Sequence, residues 1–183
     1  MLKKILIGLG VLVVILAVFM FWANNRNRTL SPPGSTELEL SNGLAVSVDY
    51  SRPSVRDRVI FGTEAEGALQ PHGVYWRMGA NEPTLLTVNK DFNLNGIPVS
   101  AGSYDFYAIP SKEGFELRLN SGTRFWGYTE PDYSLDILKT TVGFTKPTST
   151  VEQYTIQTLA AGDGIKVVCS WANRQWEVLI TAQ

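Results

Sequence analysis

The chain has 183 residues, with 16 Lys and Arg against 17 Asp and Glu, which gives a formal net charge of −1. This balance argues against a protein that coats nucleic acid, because such proteins present a strongly basic face. One His and one Cys are too few for a zinc site of several His or Cys ligands, and the sequence carries none of the common nucleotide- or cofactor-binding motifs. We therefore expect no nucleic acid, cofactor or metal partner.

The first feature along the chain is an uncharged, apolar segment of nineteen residues from Ile5 to Ala23. As an α-helix it spans about 28 Å, close to the thickness of the hydrocarbon core of a bilayer. Two lysines precede it, and Phe21 is too bulky for the small-residue pattern of signal-peptide cleavage. The sequence therefore predicts residues 1–23 as an uncleaved transmembrane signal anchor that contacts the membrane through residues 5–23, with its N-terminus in the cytoplasm.

The next segment, residues 24–37, is polar and contains Pro32, Pro33 and Gly34. This composition is typical of a linker. Residues 38–183 remain, and this length is that of a single domain with its own hydrophobic core.

Residues 38–183 show the alternation of apolar and polar side chains that is typical of half-buried β-strands. Asn95-Gly96 is the strongest hairpin signal, because both residues tolerate a positive φ angle. The pattern predicts an all-β fold, a mainly antiparallel two-layer β-sandwich that is jelly-roll-like or partly closed as a barrel. The predicted strands lie at residues 45–50, 84–90, 104–109, 115–120, 135–142, 152–159, 165–171 and 176–181. We expect strand 104–109 to be central, because both of its faces are apolar.

Two segments carry residues suited to binding a ligand. Residues 51–58 hold three arginines, and residues 76–83 combine an indole, a guanidinium, an amide and a carboxylate at a strand end. Arginine presents a planar fork of donors that matches carboxylates and phosphates. We predict a site for a small anionic or sugar-like ligand, formed by Arg52, Trp76, Arg77, Asn81 and Glu82.

Several blocks of the sequence resemble a known bacterial family. They are Tyr-Ser-Arg-Pro-Ser-Val at 50–55, Ile-Phe-Gly at 60–62, Val-Tyr-Trp-Arg-Met-Gly-Ala-Asn-Glu at 74–82, and Gly-Ile-Pro-Val-Ser-Ala-Gly-Ser-Tyr at 96–104 with Ala-Ile-Pro at 108–110. From about residue 38 to the end, the chain resembles the family called domain of unknown function 2911. The resemblance implies a secreted or envelope β-domain, and it implies no particular activity, ligand or catalytic residue.

These features together predict a single-pass membrane protein whose domain lies in the periplasm or outside the cell and binds a small ligand or an envelope protein. One alternative is a hydrolase-like enzyme, in which Glu82 or His72 acts as the base and Arg77 stabilises an anion. Another is a structural envelope component. For Arg77 itself we expect an internal ion pair with Asp57 or Glu82, with any ligand site built beside it from Asn81 and Arg52. Cys169 lies in a predicted strand, where a buried free cysteine behaves as a small apolar residue.

Overall fold

The computed structural model describes residues 2–122, 124 and 126–183. It begins with one long helix, α1, over Leu2–Leu30. The helix is long and apolar enough to cross a membrane, and its large apolar side chains from Leu6 to Trp22 are exposed rather than packed against the domain. Such a surface is compatible with a single-pass membrane protein, because lipid can cover the apolar side chains that water would not.

Regular structure occupies most of the predicted linker of residues 24–37. Helix α1 continues to Leu30, and the first strand, β1, spans Pro33–Glu39. The polar residues that follow Ala23 continue the helix, and Arg28 among them binds Glu82 of the domain. The helix ends just before Pro32, since a residue that precedes proline is disfavoured in the α conformation.

The rest of the chain forms two antiparallel sheets that face each other, with one small parallel pair. The six-stranded sheet has the order β1-β2-β5-β8-β9-β10, the five-stranded sheet has the order β11-β12-β13-β6-β7, and β3 pairs with β4. The strands after β1 are β2 (Ala45–Ser51), β3 (Phe61–Gly62), β4 (Gln70–Pro71), β5 (Leu85–Val88), β6 (Phe92–Leu94), β7 (Ile97–Val99), β8 (Gly102–Pro110), β9 (Gly114–Asn120), β10 (Asp136–Gly143), β11 (Val151–Ala161), β12 (Gly164–Ala172) and β13 (Arg174–Ala182).

The predicted two-layer β fold is confirmed. Each of the predicted strands overlaps an observed one, and the described chain shows a sandwich rather than a closed barrel. Strand β8, which contains residues 104–109, lies inside the six-stranded sheet between β5 and β9. Asn95 and Gly96 join β6 to β7 with φ angles of 51° and 84°, as a type I′ turn requires.

Aromatic side chains fill the space between the sheets. The rings of Trp76 and Trp171 stack with their centroids 5.6 Å apart, and those of Phe115 and Trp176 stack at 4.1 Å. Tyr154 packs edge-on against Trp76 at 5.3 Å. Large aromatic groups bury much apolar area per residue, so this cluster fixes the positions of the loops that leave the sandwich at the end nearest α1.

Candidate functional site

An open cleft of about 240 Å³ lies where the end of α1 meets the domain. We call it the arginine cleft and define it by Arg56, Arg58, Arg77 and Asn81, which line it together with residues of the helix end. All the charged side chains among its described lining residues are arginines. An anion could therefore enter without meeting a carboxylate on the wall.

The first cleft loop, residues 52–58, is anchored by two buried apolar residues, Pro53 and Val55. Val55 is 8% exposed, and its backbone amide donates to the carbonyl oxygen of Glu152 at 2.7 Å. After Val55 the chain reverses through Arg56 and Asp57, whose φ angles are 49° and 57°. This anchored turn carries Arg56 and Arg58 to the mouth of the cleft.

The second cleft loop follows Trp76 and also contains left-handed residues. Met78 and Asn81 have φ angles of 50° and 58°. Six non-glycine residues of the described chain have positive φ, and four of them lie in the two cleft loops. Left-handed non-glycine residues carry backbone strain and are frequent at functional sites. Their concentration here motivates the choice of this cleft as the candidate site.

Backbone carbonyl groups orient two of the arginines. Arg58 donates to the carbonyl oxygens of Val55 at 3.0 Å and Ser54 at 2.6 Å, and Arg56 donates to that of Leu30 at 2.8 Å. Carbonyl groups fix the guanidinium planes without neutralising their charge. No ion pair within 4.0 Å involves Arg56, Arg58 or Arg77 in the part of the chain that the structure describes.

One carboxylate beside the first cleft loop binds the backbone instead of a guanidinium. Glu152 accepts a hydrogen bond from the backbone amide of Arg56 at 3.0 Å, so it supports the loop rather than the guanidinium. Asn81 donates from Nδ2 to the carbonyl oxygen of Ser31 at 3.3 Å. The cleft is thus closed on one side by a contact between the second loop and the residue that follows α1.

The expected pairing of Arg77 with Asp57 or Glu82 is wrong. The guanidinium of Arg77 instead lies over the ring of Tyr128, 6.0 Å from its centroid. Glu82 binds Arg28 at 2.6 Å and accepts from the hydroxyl of Ser51 at 3.4 Å. Partial burial lowers the pKa of Arg77, because desolvation disfavours the charged form. The side chain still carries its charge near neutrality and keeps it available to a ligand.

The five residues predicted as a site do not share one cleft. Arg77 and Asn81 line the arginine cleft, while Glu82 lines a neighbouring cleft of about 410 Å³. Trp76 is 2% exposed and belongs to the aromatic core. Arg52 donates to the carbonyl oxygen of Tyr154 at 3.3 Å and to the hydroxyl of Thr155 at 3.2 Å, so it ties β2 to β11.

Two cleft residues, Arg56 and Arg58, were absent from the predicted set, although both stand in the arginine-rich segment 51–58. The candidate bases of the enzyme alternative have other partners. Nε2 of His72 lies 3.3 Å from Arg174, and Glu82 binds Arg28. Cys169 is buried, and burial raises the pKa of its thiol to about 12, which leaves almost no thiolate for chemistry.

A second group of charged side chains is buried on the outer face of the six-stranded sheet. Asp136 accepts hydrogen bonds from Tyr107 at 2.7 Å, Asn120 at 2.8 Å and Arg118 at 3.0 Å. Asp105 accepts from Nε of Arg124 at 2.7 Å. Donors of the same chain satisfy Asp136, and Arg124 binds one oxygen of Asp105, whose buried Oδ1 has no hydrogen-bond partner in the described chain. We assign both carboxylates to the structure of the domain, because their partners are side chains of the same sheet and of the segment that follows it.

A family model described as protein of unknown function (DUF2911) matches residues 31–180. The chain belongs to this family. No curated protein and no solved structure matches the chain. The DUF2911 domain begins at the end of α1 and contains all four residues that define the arginine cleft.

The cleft of the DUF2911 domain is suited to holding an oxyanion. Its lining residues include three arginines from two loops and three side-chain amides, those of Asn27, Gln70 and Asn81. General acid–base catalysis needs a titratable group within hydrogen-bond reach of the reacting proton. The described lining of this cleft includes no His, Asp or Glu.

Proposed function

We propose that the protein is a membrane-anchored DUF2911 domain that lies outside the cytoplasmic membrane and binds a small anionic ligand in the arginine cleft. One observation carries the proposal. Arg56, Arg58 and Arg77 line a single cleft whose described walls contain no carboxylate. Hydrogen bonds between a charged donor and a charged acceptor are about twice as strong as neutral ones.

The residues of α1 support the proposed location of the domain outside the cytoplasmic membrane. Apolar residues cover α1 up to Trp22, and Lys3 and Lys4 stand before the apolar segment. Positive residues are retained on the cytoplasmic side, so the lysines favour a cytoplasmic N-terminus. Because the domain follows the single helix, this orientation places the domain on the outer side of the membrane.

The hydrogen-bond partners of the cleft arginines support ligand binding over a purely structural role. Arg56 and Arg58 are exposed and held by backbone carbonyl groups rather than by acids. A ligand therefore does not have to break an ion pair in order to bind. Since exposed charges are screened by salt, the affinity for an anion should fall as ionic strength rises.

Thermal unfolding of the full chain in a nonionic detergent tests this function. The probes are inorganic phosphate, sulfate, acetate and citrate, each titrated at low ionic strength. We expect at least one anion to raise the unfolding temperature saturably, because a ligand that binds only the folded state stabilises it. The effect should disappear in the triple variant Arg56→Gln, Arg58→Gln, Arg77→Gln.

The matched control is Lys90→Gln, which also removes a positive charge. Lys90 is exposed and donates to the carbonyl oxygen of Asn42 at 2.8 Å, at the end of β2 opposite the cleft. This variant should respond to the anions as the unmodified chain does. Equal responses of the triple variant and the unmodified chain would refute the proposed site.

A further inference from the structure

We propose that the anion held in the arginine cleft is the phosphate group of an anionic phospholipid from the membrane that α1 crosses. This inference rests on the proposed function and narrows its ligand to one chemical class. Three observations carry it: the height of the cleft above the bilayer, the basic residues beside it, and the apolar side chains in its wall.

The helix fixes the height of the cleft. Asn27 and Leu30 belong to α1 and also line the arginine cleft. At the helical rise they stand about 6 and 10 Å beyond Ala23, the last residue of the apolar segment. The headgroup layer on each side of a bilayer is about 5–7 Å thick. The mouth of the cleft is therefore level with the outer part of the headgroup layer, within reach of lipid phosphates.

Basic and aromatic residues surround this end of α1. The guanidinium of Arg26 lies over the ring of Trp22, 5.5 Å from its centroid. Tryptophan is enriched at the boundary between lipid and water, and basic residues beside a membrane helix attract anionic lipids. The arginine cleft continues this basic surface from the helix into the domain.

The wall of the cleft contains apolar as well as charged side chains, a combination that suits a lipid. Leu69 is 39% exposed, and it lines the cleft together with the half-buried Leu30. A free inorganic anion makes no use of apolar side chains, whereas the glycerol and upper acyl carbons of a lipid would cover them. Phosphate oxygens also accept from several directions at once, which matches arginines that approach from two separate loops.

The test is a lipid titration of the full chain in nonionic detergent micelles, followed by thermal unfolding. Phosphatidylglycerol is the main probe, diacylglycerol is the uncharged lipid, and glycerol phosphate and inorganic phosphate are the soluble anions. We expect phosphatidylglycerol to bind at least about 10-fold more tightly than glycerol phosphate, because the micelle and the apolar wall retain the acyl chains. Diacylglycerol should produce no saturable shift.

Variants connect the binding to the cleft. Arg58→Gln and Arg77→Gln should each weaken phosphatidylglycerol binding by about 10- to 100-fold, the change in Kd for losing one charge-assisted hydrogen bond. Arg77→Lys keeps the positive charge but not the planar set of donors, so it should weaken phosphatidylglycerol binding less than Arg77→Gln does. Lys90→Gln should bind as the unmodified chain does. The unfolding temperature without lipid separates a loss of binding from a loss of folding.

The other outcomes are distinct. Equal affinities for glycerol phosphate and phosphatidylglycerol would overturn the lipid source in favour of a soluble phosphate compound. Binding of citrate without any phosphate compound would overturn this inference and leave the proposed anion site standing. If no anion binds, the proposed function and this inference are both refuted. Unchanged lipid binding by both glutamine variants would place the lipid elsewhere on the chain and refute the inference.

Discussion

The hydroxyl group of Tyr50 makes two hydrogen bonds to the backbone of Ile156, donating to its carbonyl oxygen at 3.2 Å and accepting from its amide nitrogen at 2.8 Å. Tyr50 belongs to the six-stranded sheet, and Ile156 lies on β11, the edge strand of the other sheet. One side chain thus satisfies backbone groups that would otherwise be open on a sheet edge. Burial raises the pKa of Tyr50, so the hydroxyl stays protonated and able to donate.

Tyr50→Phe removes both bonds and keeps the ring. We expect the free energy of unfolding to fall by about 2–4 kcal/mol, because two buried backbone groups of Ile156 lose their partner. Urea unfolding of the full chain in detergent measures the change. Tyr128→Phe is the matched control, since Tyr128 is 76% exposed, and it should change stability by less than about 0.5 kcal/mol. Equal effects of the two variants would contradict the assigned role of Tyr50.

Buried and exposed ion pairs should differ sharply in this domain. The carboxylate of Asp136 is 1% exposed and accepts from Arg118, whereas Glu177 is 49% exposed and binds Lys166 at 2.6 Å. Asp136→Ala should lower the free energy of unfolding by about 3–5 kcal/mol, because Tyr107 and Asn120 lose a buried acceptor and Arg118 keeps only Glu116. Glu177→Ala should cost less than about 1 kcal/mol. Denaturant unfolding compares them, and a mild Asp136→Ala would show that water replaces the carboxylate.

Asp105 should give the domain a specific pH dependence. Burial raises the pKa of Asp105 above its ordinary value of 3.8, so the folded state binds this proton more tightly than the unfolded chain does. By linkage, its contribution to stability falls as pH rises from about 3.8 through the raised pKa. Asp105→Asn removes this contribution, so the stability of the unmodified chain relative to the variant should fall as pH rises from about 3.8 through the raised pKa.

Urea unfolding of both proteins across this range tests the prediction. The asparagine keeps an oxygen that can accept from Arg124, so the comparison isolates the carboxyl proton. Parallel stability curves for the two proteins would show that Asp105 has the same proton affinity in the folded and unfolded states.

Arg77 should matter more for binding than for folding. Its side chain lies against Gly127, where a Cβ atom would stand 2.6 Å from Cδ of Arg77, and it has no carboxylate partner in the described chain. Arg77→Met keeps an unbranched stem at this contact. We expect the free energy of unfolding to stay within about 1 kcal/mol, while anion binding is lost. A large loss of stability would indicate a structural role instead.

The orientation of the chain can be tested by cysteine labelling without removing the native cysteine. Cys169 is buried and its thiol pKa is raised to about 12, so it should react very slowly. In cells whose outer membrane has been made permeable, an impermeant maleimide should label Thr148→Cys and leave Leu2→Cys, which keeps both lysines, unlabelled. The reverse pattern would contradict a cytoplasmic N-terminus, and a shortened product without residue 2 would contradict an uncleaved anchor.

Local patterns were enough to predict most of the sandwich. Alternation places Val46, Val48 and Tyr50 on one face of β2, and all three are buried. The Asn95-Gly96 turn needs only the conformational freedom of two neighbouring residues. Strand β1 was missed because it begins with Pro33 and Gly34, which suggest a linker, and its pairing with β2 supplies the order that its composition lacks.

The candidate site depended on contacts between distant segments. Glu82 was expected beside Arg77, but Arg28, 54 residues away, binds it instead. The arginine cleft joins the end of α1 with two loops, and its assembly depends on the aromatic core that holds those loops. The arginines of segments 51–58 and 76–83 indicated an anionic ligand. Only the fold shows which of these arginines line the same cleft.

The short connection between α1 and β1 determines how far the domain can move from the membrane. Only Ser31 and Pro32 lie between the two elements, whereas a flexible linker of 14 residues would reach about 20 Å. With α1 in a bilayer, the domain keeps a constant height and turns only about the membrane normal. Its search for partners is then two-dimensional, so a soluble molecule must come to the membrane surface to meet it.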